Sequence, residues 1–339
     1  MIKLSVLDQS PVRSGGTPAQ AIEETIRLAQ KAESLGYSRY WLAEHHGTDG
    51  FAGSSPEILV TRVAAATKQI RVGSGGVMLS HYSPLKVAEN FSLLENMFPD
   101  RIDLGIGRAP GSDGLTAAAL AYGNQLGIEY FPTKIADMTA FLSGKAPLSE
   151  PFKGVRATPV SPSLPELWLL GSSDQSASYA AHFGLAYSFA HFITPYSSEA
   201  IVEHYKESFR QSPANSEPRV NLGVFVICAD TMEEAEYLAS SRDFWRLKLG
   251  QGQHLPYPSP QEALNYQYTD NEKAIIEQNK INRFVGDPEF IKNKLEDLAR
   301  AHGAEELVIL TITYDFEARM RSYQLLADAF GLKNQKDAA

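Results

Sequence analysis

Residues 166–191 read ELWLLGSSDQSASYAAHFGLAYSFAH, and this stretch compresses strand, turn, helix and strand into one βαβ unit. The apolar run Leu167 to Leu170 predicts a buried strand over Glu166–Leu170. Gly171-Ser172-Ser173 then turns the chain into a helix whose first N–H groups lack intrahelical partners. A hydroxyl at that place either caps the helix or helps to bind an anion. Gly184 ends the helix, and Leu185 to Ala190 start the next strand. Small-residue turns at the carboxyl ends of strands are where α/β proteins hold phosphorylated ligands. A plain N-cap would account equally well for Ser172 or Ser173.

The same alternation runs outward in both directions. Strand-like apolar runs occur at Ile2–Leu7, Ser38–Leu42, Ile70–Leu79, Ile102–Ile106, Leu167–Leu170, Leu185–Ala190, Val220–Cys228 and Leu307–Ile312. Between them lie segments of helical period. Ile22, Ile26, Ala29 and Leu35 form one stripe, closed by Gly36, and Ile291, Leu295 and Leu298 form another, closed by Gly303. Asp287-Pro288 opens the latter as N-cap and first helical residue. Repeated βαβ units argue for a parallel sheet, and eight of them close into a (β/α)8 TIM barrel. The expected organisation is one domain over 1–332 with a frayed tail at 333–339. Residues 109–165, after the fourth strand, and 250–282, after the seventh, read as insertions placed to form walls or lids.

Composition narrows the partners. Among 339 residues, 40 acidic side chains face 31 basic ones, a net charge of −9, so phosphate backbones and anionic membranes are repelled overall. The lone Cys228 sits in the apolar run VFVICA, a buried thiol with no possible intrachain disulfide. No apolar run approaches the roughly 20 residues of a membrane span, and MIKLSVLDQS has no leader pattern. The expectation is a cytoplasmic protein without nucleic-acid or membrane partners.

In a barrel, side chains just beyond the strands' carboxyl ends converge on one mouth. Here these are Ala43-Glu44-His45-His46, the glycines of VGSGGVML, Gly105-Ile106-Gly107-Arg108 and the Ser172-Ser173 turn. Arg108 offers a permanent forked charge suited to phosphate. Adjacent histidines on an extended chain point in different directions, so one at most is catalytic. Glu44, His45 and His46 lack the spacing of zinc motifs, and no metal is expected. GSGG lacks the GxGxxG form and the helix that should follow it; glycines inside a strand instead mark a bulge or the close approach of a flat ligand.

The motifs WLAEHH (Trp41 to His46), VGSGGVML (Val72 to Leu79), RIDLGIGRAPG (Arg101 to Gly111), LWLLGSS (Leu167 to Ser173) and FVGDPE (Phe284 to Glu289) resemble, in order and over nearly the whole chain, the bacterial luciferase-like flavin-dependent monooxygenases. The resemblance is to the single-chain, alkanal-monooxygenase-like branch. It implies a barrel that binds reduced FMN at the strand carboxyl ends, works as a homodimer, and takes its reduced flavin from a separate reductase. Position by position it implies that Arg108, Ser173 and Ser176 contact the phosphate, with the main chain at Ser172 able to serve as well. It further implies that Gly75-Gly76 is a non-prolyl cis peptide behind the flavin ring, and that His45 is the active-site histidine aiding proton transfer. The reactive cysteine of luciferase is Gly107 here, so neither light emission nor an aldehyde substrate follows. The expected reaction joins molecular oxygen to a small organic substrate. The alternatives are a deazaflavin-dependent reductase or dehydrogenase, a non-catalytic flavin-binding protein and a metal-dependent hydrolase barrel.

Overall fold

The computed structural model describes residues 2–109, 111–122, 128–280 and 283–333. Its strands are β1 (Lys3–Asp8), β2 (Arg39–Leu42), β3 (Arg71–Met78), β4 (Ile102–Gly107), β5 (Glu166–Gly171), β6 (Ala186–Ala190), β7 (Val220–Cys228), β8 (Phe284–Gly286) and β9 (Glu306–Leu310). The sheet order is β6-β5-β4-β3-β2-β1-β9-β7-β8, and β6 also pairs with β7. Eight strands therefore close on themselves as a (β/α)8 barrel, as the alternation predicts. All eight apolar runs became strands. The ninth, β8, is three residues lying parallel to Val226–Cys228, too short to show any period.

The helices are α1 (Pro18–Leu35), α2 (Pro56–Ala66), α3 (Pro84–Met97), α4 (Gly114–Ala121), α5 (Phe131–Leu142), α6 (Asp174–Phe183), α7 (Ser198–Ser208), α8 (Met232–Gly250), α9 (Pro260–Asn265), α10 (Asp270–Lys280), α11 (Pro288–His302) and α12 (Phe316–Phe330). Helix α1 buries Ala21, Thr25, Leu28 and Ala32 beside Ile26 and Ala29, while Ile22 and Leu35 stay half-buried. The inward face is thus rotated from the predicted stripe. Gly36, Gly184 and Gly303 end α1, α6 and α11 in the left-handed conformation, and Asp287 caps α11 through the Phe290 N–H at 2.9 Å. Residues 108–165 hold α4 and α5, and residues 229–283 hold α8, α9 and α10. The tail expected at 333–339 lies outside the described residues except for Lys333.

The chain forms two compact units, one of residues 1–40, 48–53 and 222–339, the other of 41–47 and 54–221. In the first, Asp8 is wholly buried and accepts from Arg319 at 2.7 Å, from Tyr40 and from the Ser10 N–H at 2.8 Å. Burial pushes the Asp8 pKa up, but Arg319 and these hydrogen bonds outweigh it and hold it low. Cys228 is a buried free thiol, pushed up to about 12 by burial and by Asp287 and Asp230.

In the second unit, Trp41 packs edge-on against Trp168 at 5.4 Å and donates to the buried Asp103 at 2.8 Å. Strand β3 shifts register against β4 between Ser74 and Val77, the bulge predicted from its glycines, and the Gly75–Gly76 peptide is cis. A Cβ on Gly76 would lie 2.7 Å from the Gly105 carbonyl oxygen, and one on Gly105 would lie 2.2 Å from the Ser74 carbonyl oxygen. Gly76 and Gly105 are required by the neighbouring strand's backbone whether or not a ligand rests there.

Candidate active site

Every site residue anticipated from sequence belongs to the unit of residues 41–47 and 54–221. Helix α6 begins at Ser173, whose hydroxyl accepts from the Ser176 N–H at 3.3 Å, while the Ser173 N–H donates to the Ser176 hydroxyl at 3.2 Å. This reciprocal cap pre-orders the turn. Ser176 is buried, and its hydroxyl is committed inward, donating to the Ser173 carbonyl at 2.6 Å and lying 2.9 Å from the Tyr187 hydroxyl. Gly171 makes room for it: a Cβ there would come 2.3 Å from Ser176 Oγ. The half-buried Ser172 differs, since its hydroxyl makes no hydrogen bond to any described residue.

Arg108 follows β4, 67 positions before Gln175, yet its Nη1 donates to the Gln175 side-chain oxygen in the first turn of α6. Its other donors bond no described residue. The carbonyl of Arg108 accepts from the buried Ser80 at 3.0 Å. A forked cation, an uncommitted hydroxyl and a helix N-terminus therefore meet at one place, which is the donor set a phosphate monoester needs. The group that the fold family implies fits these residues.

The β2 end is organised by Glu44, a residue the sequence did not single out as a hub. Wholly buried, it accepts from the Tyr82 hydroxyl at 2.6 Å and from the Met78 N–H at 2.9 Å, and lies 2.8 Å from His46 Nε2. It ties β2 to the end of β3 and fixes His46 as a structural partner. His45, beside it in the sequence, is half-buried. Burial, and then the neighbouring His46, pulls its pKa down to about 4. The imidazole is neutral near pH 7, and the near-neutral titration expected of a free histidine does not apply. Lys134 on α5 was also unforeseen. Its ammonium donates to the carbonyls of Leu79, Ser80 and Tyr82 at 3.2, 2.7 and 3.0 Å, clasping the segment that follows β3. The helix-like run from Lys134 to Leu142 is legible in the sequence, but nothing local hints at the lysine's target.

Among the described residues no group of three or more metal-ligating side chains comes together, and no helix is long and apolar enough to cross a membrane.

Residues 2–306 match the family model described as luciferase-like monooxygenase. The uncharacterized protein YceB of Bacillus subtilis is 45% identical over 97% of this chain and 100% of its own length. The N-acetyl-S-alkylcysteine monooxygenase of the same organism is 38% identical, covering 97% of this chain and 98% of itself. The crystal structure of apo-MsnO8 superimposes with a TM-score of 0.91 at 39% identity, over 98% of this chain and 99% of that one. Set beside the barrel and the phosphate-shaped donor cluster, these matches lead to one conclusion: the chain belongs to the luciferase-like monooxygenase family and is a flavin-dependent monooxygenase.

Proposed function

We propose that the protein binds reduced FMN, delivered by a separate reductase, and uses it with molecular oxygen to oxygenate a small organic substrate. The observation that carries this reading is the meeting of Arg108 with the capped N-terminus of α6. Arg108 and the Ser172 hydroxyl take the phosphate, Ser173 presents the first-turn N–H groups, and Ser176 locks the turn from beneath through Tyr187. The Gly75-Gly76 backbone is the wall for the flavin ring. When bound, the reduced flavin supplies the electrons that activate oxygen. His45, neutral and half-buried, donates or accepts one hydrogen bond beside the reacting groups, held in place by the Glu44 network next to it. The enzyme acts as a cytoplasmic homodimer. Because one relative acts on N-acetyl-S-alkylcysteine, S-substituted cysteine derivatives are the first substrates to screen.

Anaerobic titration tests the assignment. Reduced FMN binds more tightly than oxidised FMN, and Arg108→Ala weakens FMN by roughly 1.5–3 kcal/mol, the value of a charge-assisted contact. Riboflavin, which lacks the phosphate, does not feel the change. Equal losses for FMN and riboflavin refute the phosphate role, and binding of a deazaflavin in place of FMN reassigns the cofactor.

A further inference from the structure

Helix α8 carries two arginines one turn apart, Arg242 and Arg246. Arg242 is only 9% exposed, and its guanidinium carbon lies 3.6 Å from the centre of the Phe225 ring on β7. No hydrogen bond or ion pair joins it to any described residue. The adjacent carboxylate, Asp243, is already engaged by Arg283 at 2.9 Å, and Arg283 also takes Glu236. The nearby Tyr257 hydroxyl is turned away, donating to the Ile312 carbonyl at 3.1 Å. Arg246 is half-buried and equally without a hydrogen bond or ion pair to a described residue.

This pairing is unfavourable as it stands. Like charges four apart on a helix repel, and a buried cation without an acceptor is costly. Burial and then the Arg246 charge pull the Arg242 pKa down to about 10. The Phe225 ring compensates in part through its π face, but a ring accepts none of the guanidinium's in-plane hydrogen bonds. Those donors lie in the guanidinium plane, where a planar two-oxygen acceptor meets them edge to edge. A phosphate can also take two of these donors with two of its oxygens, so the two anions are compared directly in the test.

We propose that Arg242 and Arg246 form a binding site for the carboxylate of a small organic acid, with Arg242 making the forked contact and Arg246 supplying the second charge. All the residues involved belong to the unit of residues 1–40, 48–53 and 222–339, and the proposal does not rest on the flavin reading.

Calorimetric titration of the whole protein, without flavin, with hexanoate, its neutral isostere hexanamide and inorganic phosphate tests it. Hexanoate is expected to bind at least tenfold more tightly than hexanamide and more tightly than phosphate. Arg246→Met and Arg242→Met are each expected to weaken hexanoate tenfold or more while leaving hexanamide unchanged. Arg246 is half-buried and stacks on no ring, so its variant keeps the test decisive where Arg242→Met disturbs packing on Phe225; melting curves identify that case. No hexanoate binding, equal binding of acid and amide, tighter phosphate binding, or full hexanoate affinity in a folded Arg246→Met protein overturns the proposal. The absence of flavin from every titration keeps failure here separate from failure of the FMN assignment.

Discussion

His45 shows how burial changes what a residue type can do. With its pKa near 4 in the fold and about 6.5 in the unfolded chain, the unfolded state binds the extra proton between those values. Stability is therefore flat above about pH 6.5 and falls as the solution is acidified toward pH 4. The expected loss at pH 5 is about 2 kcal/mol, so between pH 7.5 and 5 the urea midpoint of wild type should fall further than that of His45→Gln. The glycines make a second residue-scale contrast. A Cβ at Gly107 meets nothing nearer than Met78 Sδ at 3.6 Å, so Gly107→Ala should cost under about 1 kcal/mol. Gly105→Ala drives a methyl into backbone and should cost about 3 kcal/mol or more. Thermal melts of the two variants distinguish a neighbour-imposed glycine from a spare one.

At the scale of elements, α6 carries two roles that one substitution separates. Aspartate caps a helix as well as serine does, so Ser173→Asp should melt within a degree or two of wild type. Its charge opposes a phosphate, so FMN affinity should fall at least tenfold with riboflavin unaffected; unchanged FMN binding would remove the helix terminus from the site. Ser173→Ala should instead lose about 1 kcal/mol of stability. The turn was legible in the sequence because Gly-Ser-Ser after an unbroken apolar run combines a strand end with a cap. Eight of the strands were legible for a related reason: both their faces are largely buried, so apolar residues dominate them and only scattered buried polar positions, such as Ser5, Asp103 and Asn221, interrupt the runs. Phe284–Gly286 was not, since three residues carry no period. The anchors Glu44 and Lys134 were not either, because their partners at Met78, Tyr82 and Leu79 are set by tertiary contacts between elements far apart in the chain.

For the molecule as a whole, stability depends on a few fully buried charges more than on the exposed ion pairs. Pairs such as Arg300–Asp297, both well exposed, contribute little. Arg319–Asp8, with side chains 2% and 0% exposed, is different: Arg319→Met strands a carboxylate and should cost about 3–5 kcal/mol in chemical denaturation. Adding Asp8→Asn should recover part of that loss, and no recovery would mean that packing, not charge, is at stake. Because the Asp8 pKa is held low, its contribution is present at neutral pH and is lost as pH falls through that lowered value. Asp8 and His45 thus make acid the destabilising direction in both compact units.

The clasp made by Lys134 has a chemical footprint. An ammonium engaged by three carbonyls is a poor target for acylating reagents and for trypsin, whereas Lys145, just past the end of α5, is exposed. Brief treatment with acetic anhydride followed by peptide mass mapping should label Lys145 and spare Lys134. A rise in Lys134 labelling, with tryptic cleavage after it, then reports α5 lifting away from the segment behind β3, so a residue with no part in the chemistry serves as a built-in gauge of how often that wall opens.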